Sequence, residues 1–475
     1  GKKSAIMYNE FNPKGICHMK KLSLIICAAI LISMMTVYAS AFTFSPPDNL
    51  TIYSEAVYLV NMDTGEAVFQ KNADKQLVPA SLTKIMTAVI LLEQFKDDIT
   101  ALSTTYVSGT SACYDELYMT GCSTADIQIG EKVSYKDLLY ALMLRSACEA
   151  ANIIAYNVAG SLEGFAKMMN DKAAELGCTN THFTNAHGLF WENHYTTAHD
   201  MAIITEYALT LPMFEEISCS QEYTMEATNF HGKPRLIVHT NYMMSKANGG
   251  EDYYEYVKGI KTGTLDEAGR CLVSMALKDG YTYLLVTLGA PQKNADGANV
   301  FYNFKDHKAI YQWAFSSLEY TDIIMGTEEK AEVPVEYGDG RDFVIVKPAQ
   351  TYSRIWDRTV PLSSIHEVID LDKNVVAPVK AGDKLGTLEL QYAGESLVTI
   401  DLIATTDLAR SSRAETLTVA RSFIGSEEFF DAAKWSIGFF LIYTVLIIIL
   451  KIVVHNQNKK RSKMYGNVKV KRYRR

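Results

Sequence analysis

No CxxC pair and no Cys/His spacing of the metal-ligand kind occurs among the eight cysteines of this 475-residue chain. That argues against a structural zinc site. Proline and glycine are sparse, at 11 and 28, and there is no internal repeat or low-complexity tract. Collagen-like and largely disordered classes are thereby excluded. With 48% hydrophobic and 21% charged residues, the chain can bury a large core in about three domains. The last 20 positions contain no acid and nine Lys and Arg, whereas residues 42–430 hold 52 Asp and Glu against 30 Lys and Arg. An acidic body with a basic tail argues against nucleic-acid binding and points to a membrane.

Two long apolar runs stand out. Leu22 to Val37 follows Met19-Lys20-Lys21 and precedes Ala39-Ser40-Ala41. A basic start, a short apolar stretch and small residues before the cut make a secretory signal peptide. Cleavage after Ala41 is expected, with the first 18 residues an upstream extension. Cys27 is preceded by Ile26 rather than a small residue, which disfavours a lipoprotein. The second run, Trp435 to Val454, spans roughly 30 Å as a helix, the thickness of a bilayer core. Its one charged residue, Lys451, lies near an end where it can snorkel. Residues 455–475 are basic, so the tail is expected to be cytoplasmic and the body extracytoplasmic, in a single-pass cell-membrane protein.

In the body, the stretch from Glu55 to Phe69 alternates like a strand pair around an Asp63-Thr64-Gly65 turn. Leu82, Ile85, Met86, Val89 and Leu92 predict a helix starting near Ser81. Further helices are predicted over 135–158 and 162–176, and strands over 271–277 and 283–288. These suggest one sheet covered by helices. Residues 330–405 read instead as short strands (343–346, 375–379, 385–390, 397–403) separated by turns such as Gly338-Asp339-Gly340, a separate all-β domain. Residues 406–430 would connect it to the apolar run. Cys113 and Cys122 could close a loop disulfide outside the cell. The other body cysteines read as small buried side chains.

Pro79-Ala80-Ser81-Leu82-Thr83-Lys84 places Lys84 one turn after Ser81, on the same helix face. Serine is a poor nucleophile without a base, and a lysine serves as that base only when neutral, a state that burial and nearby positive charge favour. The helix start also offers N–H groups to an oxyanion. The plain alternative is an N-cap serine beside an unrelated lysine. Lys261-Thr262-Gly263 precedes a strand pattern. It could present an ammonium and hydroxyls to an anion, with Gly263 allowing close backbone approach. Each motif alone is a weak signal.

Their order and spacing, with Ser146 between them in Arg145-Ser146-Ala147-Cys148, match the signature of penicillin-recognising serine enzymes. The stretches VPASLTKIMTA (78–88), NAHGLFWENHYTTAHDMA (185–202) and KGIKTGTLDEAGRCLVSMALKDG (258–280) resemble the low-molecular-mass penicillin-binding proteins, which are serine-type D-Ala-D-Ala carboxypeptidases. The resemblance covers roughly residues 50–315 and extends more weakly beyond them. It implies an α/β (α+β) penicillin-binding/β-lactamase-like catalytic domain with a helical subdomain over 42–317. A small all-β sandwich domain over 318–425 would follow, then a transmembrane helix over 435–454. It also implies removal of the terminal D-Ala from peptidoglycan stem peptides, acylation by β-lactam antibiotics, and no metal or cofactor. Ser81 would form the acyl-enzyme, Lys84 would take its proton and Ser146 would relay protons to the leaving D-alanine. Lys261, Thr262, Gly263 and Thr264 would bind the substrate carboxylate. N–H groups of Ser81 and of a residue near Thr264 would form the oxyanion hole.

Two positions depart from the family pattern. Cys148 stands where an Asn amide holds the substrate, and a thiol is a weaker donor. The Arg expected soon after Gly289-Ala290 is missing, leaving Lys293 as the cation there. His187, His194 and His199 are expected to stabilise turns and packing rather than to catalyse or bind metal. A catalytically impaired β-lactam-binding or sensor protein is the alternative that these departures favour. A β-lactamase is disfavoured because no E-x-x-x-N element lies between Gly160 and Asp200.

Overall fold

The computed structural model describes residues 43–465, with side chains through Lys463. The expected signal peptide and the final ten residues of the basic tail lie outside them. The chain forms two compact units. Among the described residues, the first comprises 43–323 with 353–366 and 391–397, and the second comprises 324–352, 367–390 and 398–465.

The first unit is built on a five-stranded sheet. Its strands are β1 (Ala56–Asn61), β2 (Ala67–Lys71), β3 (Val257–Leu265), β4 (Gly269–Lys278) and β5 (Tyr281–Ala290), in the order β2-β1-β5-β4-β3. Every pairing is antiparallel, so the architecture is α+β. The expected Asp63-Thr64-Gly65 turn joins β1 to β2, with Gly65 at φ +72°. Strand periodicity divides the apolar side chains between two cores. Ala56, Val60, Val273, Leu284 and Val286 face one, while Val57, Leu59, Leu272, Tyr283 and Leu285 face the other.

The first core is covered by helices α1 (Thr83–Gln94), α2 (Tyr135–Met143), α3 (Cys148–Ala159), α4 (Leu162–Glu175) and α5 (Ala198–Leu209). Residues 83–92 of α1 are all buried. Helix α6 (Tyr302–Ser317) covers the second core with Phe304, Ile310 and Tyr311. The single helix expected over 135–158 is instead two, α2 and α3. Ser146 between them has φ +62°, a conformation that no helix interior tolerates. The apolar pattern runs through this break because both helices bury their sides in the same core.

Strand β6 (Leu318–Ile324) pairs with β9 (Tyr352–Asp357). Two short two-stranded sheets pair Tyr106–Val107 with Val133–Ser134 and Glu222–Met225 with Arg235–Val238, and six further strands form one sheet. They are β7 (Ala331–Glu336), β8 (Phe343–Pro348), β10 (His366–Leu371), β11 (Val375–Val376), β12 (Lys384–Tyr392) and β13 (Glu395–Ala404), in the order β10-β12-β13-β8-β7-β11. Residues 406–430 are more than a connector. They contain α7 (Ser412–Ile424) and the start of α8 (Glu427–Tyr465), which carries the apolar run with none of it buried.

Candidate active site

Ser81 lies on a single 3₁₀ turn, Ala80–Leu82, that runs straight into α1. Lys84 follows one turn later and is fully buried. Its Nζ donates to Ser81 Oγ at 3.0 Å and to the His187 carbonyl at 2.5 Å, and lies 3.5 Å from Cys148 Sγ. These partners are a hydroxyl, a carbonyl and a thiol.

The turn carrying Ser81 is braced from behind. His194 Nδ1 accepts from the Thr184 N–H at 3.0 Å, which leaves Nε2–H to donate to Thr83 Oγ1 at 2.8 Å. Thr83 Oγ1 in turn donates to the Ala80 carbonyl at 2.8 Å. Burial, reinforced by the nearby His187, His182 and Lys84, lowers the His194 pKa to about 3. Gly188 (φ +86°) packs so tightly on the turn that a Cβ there would sit 2.0 Å from the Ala80 oxygen. His187 Nδ1 accepts from the Leu189 N–H, and its Nε2 lies 2.8 Å from Glu116 Oε1. Asn152 Nδ2 also donates to that oxygen, at 2.9 Å. His199 Nδ1 is 3.0 Å from Asp74 Oδ1, and its ring stacks on Tyr58. Each of the three histidines therefore holds a turn or packs a ring.

Strand β3 carries Lys261, Thr262, Gly263 and Thr264 at the sheet edge. Lys261 is fully buried, and its Nζ donates to the Thr262 carbonyl at 2.8 Å. Burial first, and then the charge of Lys84, push its pKa well below the ordinary lysine range. Thr262 Oγ1 lies 2.6 Å from Thr240 Oγ1, and the Thr240 N–H donates to the Leu144 carbonyl at 3.1 Å. Thr240 thus joins the Lys-Thr-Gly strand to the break that carries Ser146. Ser146 is 5% exposed. Nothing in the sequence marked Thr240 or Glu116, because neither stands in a motif.

The structure corrects the expected disulfide. Cys113 and Cys122 are free thiols, as are the other cysteines among the described residues. Cys113 is buried, whereas Cys122 precedes Ser123, whose carbonyl accepts from the Cys148 N–H at 2.9 Å. Lys293, the cation that follows Gly289-Ala290, lines a surface cavity with Asp266 and Gln292. Arg270, however, stands opposite Thr264 in register, with its guanidinium 4.3 Å from the centre of the Phe301 ring.

An antiparallel sheet packed by a helical subdomain, with a Ser-Lys pair at a helix start beside a Lys-Thr-Gly edge strand, is the arrangement of the penicillin-recognising serine hydrolases. A family model described as D-alanyl-D-alanine carboxypeptidase matches residues 40–292, and one described as penicillin-binding protein 5, C-terminal domain, matches residues 319–410. The chain belongs to the D-alanyl-D-alanine carboxypeptidase family. It is 28% identical to D-alanyl-D-alanine carboxypeptidase DacF of Bacillus subtilis, over 81% of this chain and 94% of that one. It is 30% identical to a D-alanyl-D-alanine carboxypeptidase of Streptomyces sp. strain K15, over 53% of this chain and 86% of that one. The fold is shared with the carboxypeptidase DacD of Francisella tularensis, at TM-score 0.60 and 22% identity, over 78% of this chain and 97% of that one. A structure of the Streptomyces K15 DD-transpeptidase superposes with TM-score 0.50 at 28% identity, over 56% of this chain and all of that one. Solved variants of that enzyme alter a serine and, two positions further on, a cysteine, the spacing of Ser146 and Cys148.

Proposed function

We propose that the chain carries out its family's reaction on peptidoglycan stem peptides with Ser81 as nucleophile and Lys84 as its base. The observation that supports this most is the 3.0 Å hydrogen bond between Lys84 Nζ and Ser81 Oγ inside a buried site. Lys84 takes the hydroxyl proton as Ser81 Oγ attacks the carbonyl of the penultimate D-Ala. The N–H groups of Ser81 and of a residue near Thr264 receive the oxyanion. The C–N bond then breaks, Ser146 passes a proton to the leaving amine, and D-alanine departs. Water next attacks the Ser81 ester, its proton goes back to the site, and the shortened peptide leaves as a carboxylate.

Lys261, Thr262 and Thr264, with Gly263 keeping the backbone close, form the receiver of the substrate's terminal carboxylate, and Cys148 lines the same side. Beside Lys84 and out of water, a charged Lys261 is costly. An arriving carboxylate offsets that cost, so the site favours substrates with a free C-terminal acid. β-Lactams, which present a carboxylate beside a strained amide, acylate the same serine.

We assign the catalytic domain to 42–317, the β-domain to 318–425 and the membrane segment to 435–454. The 455–475 tail faces the cytoplasm and the catalytic unit works outside the membrane, where peptidoglycan lies. The apolar helix and the opposite charges of body and tail support this orientation.

The test is D-alanine release by the full chain in detergent from a peptide ending in Lys-D-Ala-D-Ala, beside Ser81→Ala. Release that requires Ser81 is expected. Release that survives in Ser81→Ala would overturn the assigned nucleophile. The Ser-x-Cys spacing shared with a DD-transpeptidase supports a second reading, in which an amine replaces water as acceptor. Adding glycine or D-alanine amide and measuring the ratio of transfer to hydrolysis separates the two.

A further inference from the structure

We propose that Cys122 and Cys148 form a thiol–disulfide exchange site at the edge of the active site, where a disulfide oxidises the pair and stops acylation of Ser81. The inference rests on the reading of Ser81 and Lys84 as the acylating pair. It starts from geometry that neither the family motif nor the reaction requires.

Cys122 stands one residue before Ser123, whose carbonyl meets the Cys148 backbone, so the two cysteines are neighbours in space, and each thiol perturbs the other. They come from different elements, and hydrogen bonds hold those elements together. The Cys148 N–H donates to the Ser123 carbonyl at 2.9 Å. Glu149 accepts from Thr124 Oγ1 and from the Ala125 N–H, both at 2.7 Å. The segment around Cys122 is therefore strapped across the start of α3.

The partners are unequal in the way a two-step exchange needs. Cys122 is half-buried and opens onto a surface cavity of 280 Å³, lined also by Tyr114, Tyr118, Thr124 and Glu149. Cys148 is buried, and its sulfur lies 3.5 Å from Lys84 Nζ. The neighbouring Cys148 thiol lowers the Cys122 pKa to about 6, and Thr120 and Lys84 help. The same neighbour relation, with burial, holds the Cys148 thiol up. Cys122 is the accessible thiolate, and Cys148 is the thiol behind it.

The chemistry balances with an external disulfide RSSR as oxidant. The Cys122 thiolate attacks one sulfur of RSSR, its S–S bond breaks, and RS⁻ leaves. Cys148 gives its proton to Lys84, and its sulfur attacks Cys122 Sγ and expels the second RS⁻. Two thiols are oxidised to one disulfide and RSSR is reduced to two RSH. The new bond, about 2.05 Å long, ties the Cys148 sulfur to the 120–127 segment. The side chain beside Lys84 then has no proton to give and cannot turn towards substrate. An enzyme working outside the membrane meets disulfides there.

The experiment treats the reduced full chain in detergent with oxidised glutathione. Intact mass, a disulfide peptide map and the acylation rate with a fluorescent penicillin are then measured. The expected result is a Cys122–Cys148 bond, an acylation rate lower by about tenfold or more, and recovery with dithiothreitol. Cys122→Ser should acylate normally and ignore the oxidant, and Cys113→Ser should stay sensitive. A stable glutathione adduct on Cys122, a Cys113–Cys122 bond, or bridged protein that acylates at the reduced rate would each overturn the proposal. If reduced protein fails to acylate at all, the reading of Ser81 and Lys84 fails, and the proposal that rests on it falls. The peptide map shows separately whether the thiols pair.

Discussion

Gly263 passes so close to Ser81 that a Cβ on it would lie 3.2 Å from the Ser81 nitrogen and 3.1 Å from the Pro79 oxygen. The close atoms are mostly backbone, which cannot swing aside like a side-chain tip. A methyl group would therefore push the Lys-Thr-Gly strand from the turn by a few tenths of an ångström. That gap sets where the two N–H groups of the proposed oxyanion hole meet. Removing one such donor typically costs about 10²-fold or more. Gly263→Ala is expected to lower penicillin acylation by about tenfold or more, with Tm lowered by a few degrees at most. An unchanged acylation rate in the folded variant would show that the gap tolerates the methyl and is not tuned to the reaction.

Both buried lysines are predicted to be needed for activity, and Lys261 to cost stability. Lys84→Ala removes the proposed base and should abolish acylation, since a positioned base contributes about 10²–10⁴-fold. Lys261→Met removes a buried ammonium whose pKa is held down by burial and by Lys84. Because its folded pKa is depressed, Lys261 costs stability at every pH below its unfolded value. Replacing it by an apolar side chain of similar length should leave Tm unchanged or raise it, while peptide turnover is lost. A Tm several degrees below wild type would mean that Lys261 is a net structural support.

These features differ in how far the sequence exposes them. The Ser81–Lys84 pair was legible because one helical turn brings the two together, and α1 begins where the apolar spacing begins. The helix spanning 135–158 was misread for a definite reason. Leu138, Leu139, Ile153 and Ile154 all enter one core, so hydrophobic spacing continues across a break that only the φ of Ser146 reveals. The thiol pairing was misread because Cys113 is near Cys122 in sequence, whereas Cys148 is near it in space. Thr240 and Arg270 stand beside the Lys-Thr-Gly strand by strand register and loop closure, neither of which leaves a local pattern.

Arg270 gives a substrate-binding prediction. It stands opposite Thr264 across the β3·β4 pair, and facing residues on adjacent antiparallel strands share a sheet face. Its cation is therefore placed beside Thr264 of the proposed carboxylate receiver, where the Arg expected further along is missing. Arg270→Gln should raise KM for the D-Ala-D-Ala peptide more than it lowers kcat, by about tenfold in kcat/KM. A peptide amidated at its C-terminus should show no such change. Equal losses on acid and amide would assign Arg270 to packing on Phe301 instead.

By its resemblance to the family, Cys148 stands where an Asn amide would hold the substrate, and its sulfur approaches Lys84 at 3.5 Å. An Asn there could accept from Lys84 through its oxygen and offer N–H donors that a thiol lacks. Cys148→Asn is expected to retain or raise D-alanine release. A large loss in a folded variant would give the thiol a role of its own.

The brace behind Ser81 predicts a pH dependence of stability. His194 and His239 both have pKa values lowered to about 3, by burial first. In the unfolded chain each takes up a proton near 6.5. Between these values the unfolded state binds more protons, so stability rises with pH across the window and is lost as pH falls through it. For His194 the structural reason is specific. Nδ1 accepts from the Thr184 N–H, and a proton on Nδ1 would turn that acceptor into a donor facing a donor. His194→Gln keeps an acceptor for Thr184 and a donor for Thr83 but cannot titrate. Tm measured from pH 4 to pH 7 should therefore rise less steeply in His194→Gln than in wild type. Parallel curves would show that the His194 proton is not coupled to folding and would leave the brace as packing alone.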